Sequence, residues 1–242
     1  MPKISIIIPT YNEKDNVKTL YQKIDEISTK SNLDYELIFV DDDSPDGTGE
    51  LALRLSEENN RIKVIIRKNE KSIGSAIKVG IENSKGGVLV FMDGDLSHPP
   101  EVIPRLIGNL FENDVVIASR YLEGGSMDSE KYKFYLSKLL NLAIQFILGI
   151  SIKDSTGGFI ALHRSVLDPQ NFDKIFYGYG DYCFRLLFNL KDKGLKIKEI
   201  PFHYSRRLHG SSKTSIYSVG IKYLLSALSI KLKSYYERNR GY

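Results

Sequence analysis

The sequence predicts an α/β fold built on a mostly parallel sheet covered on both faces. Three observations carry that prediction. Short apolar runs recur at residues 4–8, 35–40, 62–66, 88–92 and 115–119. The stretches between them carry apolar residues at helical spacing, and the runs themselves are nearly continuous in apolar character, as strands buried on both faces are. Strands alternating with helices at this spacing imply right-handed crossovers, so all five predicted strands end on one edge of the sheet. In open α/β sheets that edge is where ligands bind.

The β-branched run at 4–8 is the first strand, ended by Pro9, with Thr10, Tyr11, Asn12 and Glu13 in the loop after it. Val17, Leu20, Ile24 and Ile27 then recur at spacings of three and four, which predicts a helix capped by Asp15 or Asn16. The second strand, 35–40, runs into Asp41-Asp42-Asp43-Ser44-Pro45-Asp46-Gly47-Thr48 and a helix bearing Leu51, Leu53 and Leu55. The third, 62–66, exits into Arg67, Lys68 and Asn69, and 74–84 is helical with Ile77 and Ile81 four apart. The fourth, 88–92, stops abruptly in Asp93-Gly94-Asp95, and the fifth, 115–119, ends in Arg120.

Beyond Arg120 the alternation breaks. Residues 123–126 form a glycine-bearing loop, and 132–150 a helix whose polar Ser137, Asn141 and Gln145 make a narrow i+4 stripe on an otherwise apolar surface. A turn over 154–159 leads into a strand at 159–162, a helix at 182–190 and a half-exposed strand at 196–200. Residues 206–213 are a basic loop. The chain closes in a helix over 216–236 with a narrow stripe of Ser218, Lys222, Ser226 and Ser229. The organisation read from this is one catalytic-type domain, 1–213, followed by an amphipathic helix, 214–242.

Composition sets bounds on function. With 42% hydrophobic and 26% charged residues the 242-residue chain buries a sizeable core. The single Cys183 excludes an internal disulfide and a cysteine-based zinc site, which fits a reducing compartment. No secretory signal opens the sequence, and a net charge of +4 is too mild to argue for nucleic acid. The longest charge-free run, between Lys138 and Lys153, falls short of the ~20 apolar residues that span a bilayer.

Past the five strand ends lie Tyr11 and Glu13, Asp41 to Asp43, Arg67 and Lys68, Asp93 and Asp95, and Arg120. Polarity is ordinary in loops. An arginine and five aspartates at one edge argue further, for a ligand site holding metal and phosphate. Asp93 and Asp95, at i and i+2, suit a shared hard cation such as Mg²⁺ or Mn²⁺; taken alone they equally suit a turn before Pro99-Pro100. Other motifs fail. An EF-hand beginning at Asp42 would have Leu53 at its bidentate position, and neither a Gly-x-Gly-x-x-Gly turn after the first strand nor a Gly-Lys-Ser/Thr loop is present. His98, His163, His203 and His209 lack zinc-site spacing and read as turn or surface residues.

Taken together, the segments 9–13, 41–48, 93–101 and 119–121 resemble the family-2 inverting glycosyltransferases of GT-A fold, closest to the dolichol-phosphate mannose synthases. The likeness extends through 154–159 and Glu199-Ile200-Pro201 to 207–213. It implies transfer of a hexose, mannose from GDP-mannose foremost, to a dolichyl or polyprenyl phosphate with inversion and with Mg²⁺ or Mn²⁺. A UDP-sugar donor, a hydroxyl acceptor or a non-catalytic nucleotide-sugar module are the alternatives. By motif match, Pro9, Tyr11, Glu13, Val40 and Asp42 are implied as the nucleotide pocket, Asp93, Gly94 and Asp95 as the metal-diphosphate site, and Ser97 as a further metal contact. Arg120, Arg207 and Lys213 are implied at the sugar and diphosphate, with Asp93, Asp95, Arg207 and Lys213 carrying the chemistry. Lys131, Lys133 and Ser137 are candidates for the acceptor phosphate. Asp181 lies where hydroxyl-using relatives carry a catalytic carboxylate. The chain departs from the family in having no Trp, lysines where acceptor-side arginines are usual, and Ser211 in place of an acidic residue. The implied location is peripheral, on the cytoplasmic face of a membrane, with a separate anchoring subunit as a possible partner. The two long apolar helices read either as interface helices or as core.

Overall fold

The structure, a computed structural model, describes residues 3–68, 70–209 and 216–239. The five predicted strands form as β1 (Ile4–Thr10), β2 (Tyr35–Asp41), β3 (Ile62–Ile66), β4 (Val88–Phe91) and β5 (Val115–Ser119). They join β7 (Ile160–His163) and β8 (Ile197–Pro201) in one seven-stranded sheet of order β3-β2-β1-β4-β7-β5-β8. β7 runs antiparallel to both its neighbours, so β5 still points the same way as β4, and all five predicted strand ends do share an edge. A two-residue pair, β6 (Ser126–Met127) with β9 (His203–Tyr204), too short to show as an alternating run, ties the loop after β5 to the segment after β8.

The near-continuous apolar character of the strands is used on both faces. On one side Ile7, Ile38, Val40, Leu89, Phe91 and Ile117 pack against α3 (Ile73–Glu82), α5 (Lys131–Leu148), α7 (Tyr182–Leu190) and α8 (Ile216–Asn239). On the other Ile6, Ile8, Leu37, Phe39, Val90 and Val116 meet α1 (Lys14–Lys30), α2 (Thr48–Glu58) and α4 (Ile103–Asn109). Gly80 lets α3 lie close on β1: a Cβ there would stand 2.3 Å from Ile7 Cγ2. A single turn, α6 (Phe172–Ile175), precedes α7.

Several expectations are corrected. α1 begins after Glu13, and neither Asp15 nor Asn16 caps it; Asn16 is buried in the first turn, its Nδ2 donating to Glu13 Oε2 at 2.6 Å. In α2 the inward residues are Ala52 and Leu55, while Leu53 is exposed. α4 is a helix that the sequence reading omitted; its seven residues are too few to register a helical period, although prolines open both it and the 3₁₀ turn before it.

The polar stripe of α5 faces inward beside Ile144 and Leu148, which join the core, and the rest of its apolar surface is largely exposed. Ser137 bonds the Tyr121 hydroxyl, Asn141 is fully buried, and Gln145 donates to the Lys153 carbonyl, whereas Tyr135, Leu139 and Phe146 are exposed. α8 packs against α5 and α7 through buried Tyr223 and Ala227, and its Ser226 turns toward α7 while Lys222 and Ser229 are exposed. Among the described residues no helix is long and apolar enough to cross a membrane.

Candidate active site

The strands β1, β2 and β4 open at their C-terminal ends into a cleft of about 220 Å³. From β1 come Pro9, Thr10, Tyr11 and Glu13; from β2, Asp42; from β4, Asp93, Gly94 and Asp95; the loops after β3 and β9 add Lys71, Ser72 and Arg207. Eight of the residues singled out from sequence therefore line one space: Pro9, Tyr11, Glu13, Asp42, Asp93, Gly94, Asp95 and Arg207.

Asp41, the last residue of β2, is a structural acid. It is buried and accepts from the Thr10 hydroxyl (3.0 Å), the Ser44 hydroxyl (2.6 Å) and the Ser44 amide (2.9 Å), which folds the acidic loop back over β1. That leaves Asp42 to face the cleft. Its Oδ1 is gripped by Arg67 through Nε (2.8 Å) and Nη2, and its Oδ2 accepts the Ser72 amide at 3.0 Å. Desolvation pushes the Asp42 carboxyl above its ordinary value, and the Arg67 guanidinium works against that shift. Lys71 stands over the Tyr11 ring, its Nζ 4.6 Å from the centroid and 3.2 Å from the hydroxyl.

The turn after β4 is tight, with Leu96 in the left-handed region (φ 65°). Ser97 lies beneath it, fully buried, its amide (3.0 Å) and hydroxyl (2.5 Å) both donating to Asp95 Oδ1, so Ser97 reaches the cleft only through that carboxylate. Asp95 Oδ2 faces Arg207 Nε at 2.9 Å. Arg207 is carried there by a loop that docks on this turn, the Ser205 amide donating to the Ser97 carbonyl (3.1 Å) and the Leu208 amide to the Asp95 carbonyl (3.3 Å).

Asp93 is held differently. Its side chain is 42% exposed, and the nearest basic group to it is the His98 ring, Nε2 lying 3.7 Å from Oδ2. Desolvation in the cleft pushes the Asp93 carboxyl up from its ordinary value and the Asp95 carboxylate adds to the shift, while His98, Arg207 and Arg120 pull it down. Negative charge is thus left uncompensated where two hard oxygen donors converge, a donor set suited to Mg²⁺ or Mn²⁺. Among the described residues no cluster of three or more His, Cys, Asp or Glu forms a complete metal cage. A cation held by Asp93 and Asp95 would complete its coordination with phosphate oxygens and water.

The remaining sequence candidates lie outside the cleft wall. Val40 is fully buried in β2. Arg120 is buried and ion-paired with Asp154, through Nη2 to Oδ1 (2.7 Å) and Nε to Oδ2 (2.8 Å), and stacks against Tyr121 and Tyr204. Glu199 fixes that arrangement by accepting the amides of Lys153 (2.9 Å) and Asp154 (3.0 Å). Lys131, Lys133 and Ser137 sit on the first two turns of α5; Lys133 pairs with Glu130 (2.5 Å) and the Ser137 hydroxyl is 2.6 Å from that of Tyr121. Asp181 is tied to Arg185 (2.5 Å) and to the Ser226 hydroxyl (3.1 Å). Lys213 and Ser211 lie outside the described residues.

Several residues of the site went unread. Lys71, Ser72, Ile73 and Tyr179 line the cleft from segments whose sequences carry no motif. His98, read as a turn or surface residue, is fully buried beneath Asp93. Its adjacency to the acidic pair was the available signal.

Comparison with known proteins shows the family and the fold. The model of the family described as Glycosyl transferase family 2 matches residues 5–169. A dolichol-phosphate mannosyltransferase of Pyrococcus furiosus is 40% identical in an alignment 220 positions long that covers 87% of this chain; the chain spans 59% of that protein's length. A dolichol-phosphate mannosyltransferase of Saccharomyces cerevisiae is 33% identical over 87% of this chain and 80% of its own length. Among solved structures, glucosyl-3-phosphoglycerate synthase from Mycobacterium tuberculosis, in complex with Mn²⁺, UDP and phosphoglyceric acid, superposes with a TM-score of 0.67 at 20% identity, covering 94% of this chain and 78% of that one, a likeness of fold. By the extent of the family match and the coverage of the yeast relative, this chain belongs to glycosyl transferase family 2.

Proposed function

We propose that the chain transfers a hexose, foremost mannose from GDP-mannose, to a polyprenyl phosphate with inversion at the anomeric carbon, using Mg²⁺ or Mn²⁺. One observation carries the reading: Asp93 and Asp95 converge with Arg207 in a single cleft at the ends of β1, β2 and β4. That mixture of acids and a fixed guanidinium suits a nucleoside diphosphate, whose leaving group gains negative charge as the sugar departs. The names of the relatives support the polyprenyl-phosphate acceptor and the mannosyl donor.

In this reading Tyr11, Pro9 and Asp42 hold the nucleoside, with Asp42 set in place by Arg67 and the Ser72 amide. A divalent cation on Asp93 and Asp95 supplies charge that offsets the departing diphosphate. Arg207, with Nε 2.9 Å from Asp95 Oδ2, presents its guanidinium to the same oxygens, a role shared by Lys213. The acceptor phosphate, with its second pKa near ~6, is largely dianionic at pH 7 and attacks without a general base. The engagement of Asp181 by Arg185 and Ser226 supports this over a hydroxyl acceptor, which needs a carboxylate free to take a proton. Lys131, Lys133 and Ser137 are the proposed contacts of the acceptor phosphate.

The outward apolar faces of α5 and α8, with Phe146 90% exposed, Leu225 and Leu232 also exposed, and Lys138, Lys222, Lys231 and Lys233 alongside, support peripheral seating on the cytoplasmic face of a membrane. An accessory anchoring subunit is compatible with the same face. The test is a panel of radiolabelled GDP- and UDP-sugars offered with a polyprenyl phosphate and Mg²⁺ or Mn²⁺. Label moving to the lipid phase from GDP-mannose, and vanishing with chelator, is the expected result. Transfer from UDP-sugars alone would replace the donor, and no transfer from any would overturn the enzyme reading.

A further inference from the structure

Among the described residues, one buried ring nitrogen beside the acidic pair has no hydrogen-bond partner. The His98 ring is fully buried, stacked on Phe159 with centroids 4.8 Å apart, and edge-on to Phe202 and Tyr204 at 5.9 and 5.6 Å. Its Nδ1 accepts the backbone N–H of Asp93 at 3.0 Å. A nitrogen that accepts carries no hydrogen, so the neutral ring has its N–H at Nε2. Among the described residues that N–H makes no hydrogen bond, and the carboxylate nearest to it is that of Asp93, with Oδ2 at 3.7 Å. Packing alone does not account for a histidine here. A phenylalanine would fill the same aromatic cage without stranding a buried donor, which is unfavourable.

We propose that His98 is a positioning residue for the cation site. It fixes the Asp93 backbone through Nδ1, and it fixes the Asp93 carboxylate through an Nε2–H···Oδ2 bond that closes when the carboxylate is drawn onto a cation. The gap exceeds a normal N–H···O bond by less than ~1 Å, within reach of a small side-chain rotation. Bonds of this kind are commonly long before the ligand arrives and tighten with it. With Oδ2 held from behind, Asp93 presents Oδ1 and one remaining lone pair of Oδ2, which sets the geometry the cation meets. The inference rests on the reading of Asp93 and Asp95 as cation ligands.

The experiment titrates Mn²⁺ into the full chain with GDP present, reading free Mn²⁺ by electron paramagnetic resonance, and in parallel measures GDP binding without metal and the melting temperature. His98→Phe keeps the aromatic packing and removes both nitrogens. His98→Asn keeps an acceptor at the Nδ1 position and removes only Nε2, and it is also the variant to read should His98→Phe not fold. Both are expected to weaken Mn²⁺ by about 10–100-fold, the usual effect of losing an outer partner of a metal ligand, with metal-free GDP affinity unchanged. In an Asp93→Asn background neither is expected to add to the loss. Mn²⁺ affinity within twofold of wild type in the His98 variants, or an equal loss in both backgrounds, overturns the proposal. A wild-type chain that binds GDP but no Mn²⁺ overturns the cation reading on which it rests.

Discussion

Substituting Asn141 by leucine separates the observed orientation of α5 from the one its composition suggests. To a hydropathy argument Asn141→Leu improves the helix, since it completes an apolar surface already formed by Leu139, Leu142 and Phe146. In the structure Asn141 is fully buried, its Nδ2 donating to the Ser137 carbonyl (3.0 Å) and Thr156 Oγ1 (3.0 Å). Its Oδ1 accepts the Ser155 amide (2.9 Å) and hydroxyl (3.0 Å). Leucine would leave both Ser155 donors stranded in a buried site, at about 2 kcal/mol each. Burying apolar surface in their place returns about 1–2 kcal/mol, so the net loss is about 2–3 kcal/mol. For a chain of this size that lowers the melting temperature by roughly 4–12 °C. Thr156 also accepts from Arg120 (3.2 Å), so the Arg120–Asp154 pair loosens with it. The assay is urea unfolding with a thermal melt, using Leu142→Ala on the exposed face as a control expected to change stability by less than about 0.5 kcal/mol. An Asn141→Leu protein as stable as wild type, or more stable, would refute the inward polar face.

Three further outcomes are expected. Asp93→Ala, at a half-exposed side chain, should leave the melt within about 0.5 kcal/mol of wild type while abolishing metal-dependent turnover of the donor; unchanged turnover would sink the metal role. Asp181→Asn should keep transfer to polyprenyl phosphate but destabilise the fold by about 2 kcal/mol, because it weakens a charged bond to nearly buried Arg185; activity falling to background in a folded protein would argue for a hydroxyl acceptor. Asp46→Ala should cost about 1 kcal/mol as a lost turn and helix-start contact. Partial burial raises the Asp46 pKa, but bonds from the Thr48 hydroxyl and the amides of Lys14 and Thr48 outweigh it and hold the carboxyl below its ordinary value. A lowered folded pKa stabilises above the unfolded value and loses that stability as pH falls through the folded one. The wild-type and Asp46→Ala unfolding curves should therefore differ at pH 7 and converge below about pH 4; a difference that persists at low pH would refute it.

The sheet was legible because its strands are buried on both faces and therefore apolar almost without interruption, a pattern that only covered strands carry. β7 was legible as a strand, but nothing in four residues indicates that it inserts antiparallel between β4 and β5. The helices were legible by period down to about ten residues, and α4 fell below that. α5 shows where periodicity is ambiguous: a narrow polar stripe on an apolar helix has the same period whether it faces water or a buried polar layer. Ser155, Thr156 and the Arg120–Asp154 pair decide it, and they lie 13 to 21 residues from Asn141 in sequence.

The site was legible as a set of residues and illegible as a set of pairs. Five aspartates at the strand ends read as one acidic cluster, yet the fold gives them different work. Asp41 is consumed in building its own loop, Asp42 is matched by Arg67, and Asp95 by Arg207. Asp154 does the same for Arg120, which is why an arginine that ends a strand at the site edge lies outside the cleft wall. Among the described residues Asp93 alone of the cleft acids has no arginine or lysine within ion-pair distance; its neighbour is a histidine that supplies one N–H and no fixed charge. The cleft therefore holds its excess negative charge on one carboxylate, the one that its surroundings push toward protonation. On the reading proposed above, Asp93 and Asp95 would hold a divalent cation that supplies positive charge at the uncompensated carboxylate, leaving Arg207 directed at the substrate. Which acid is left for a cation thus depends on which one the arginines omit, a distinction carried by the loops after β3 and β9 and invisible in the spacing of the aspartates.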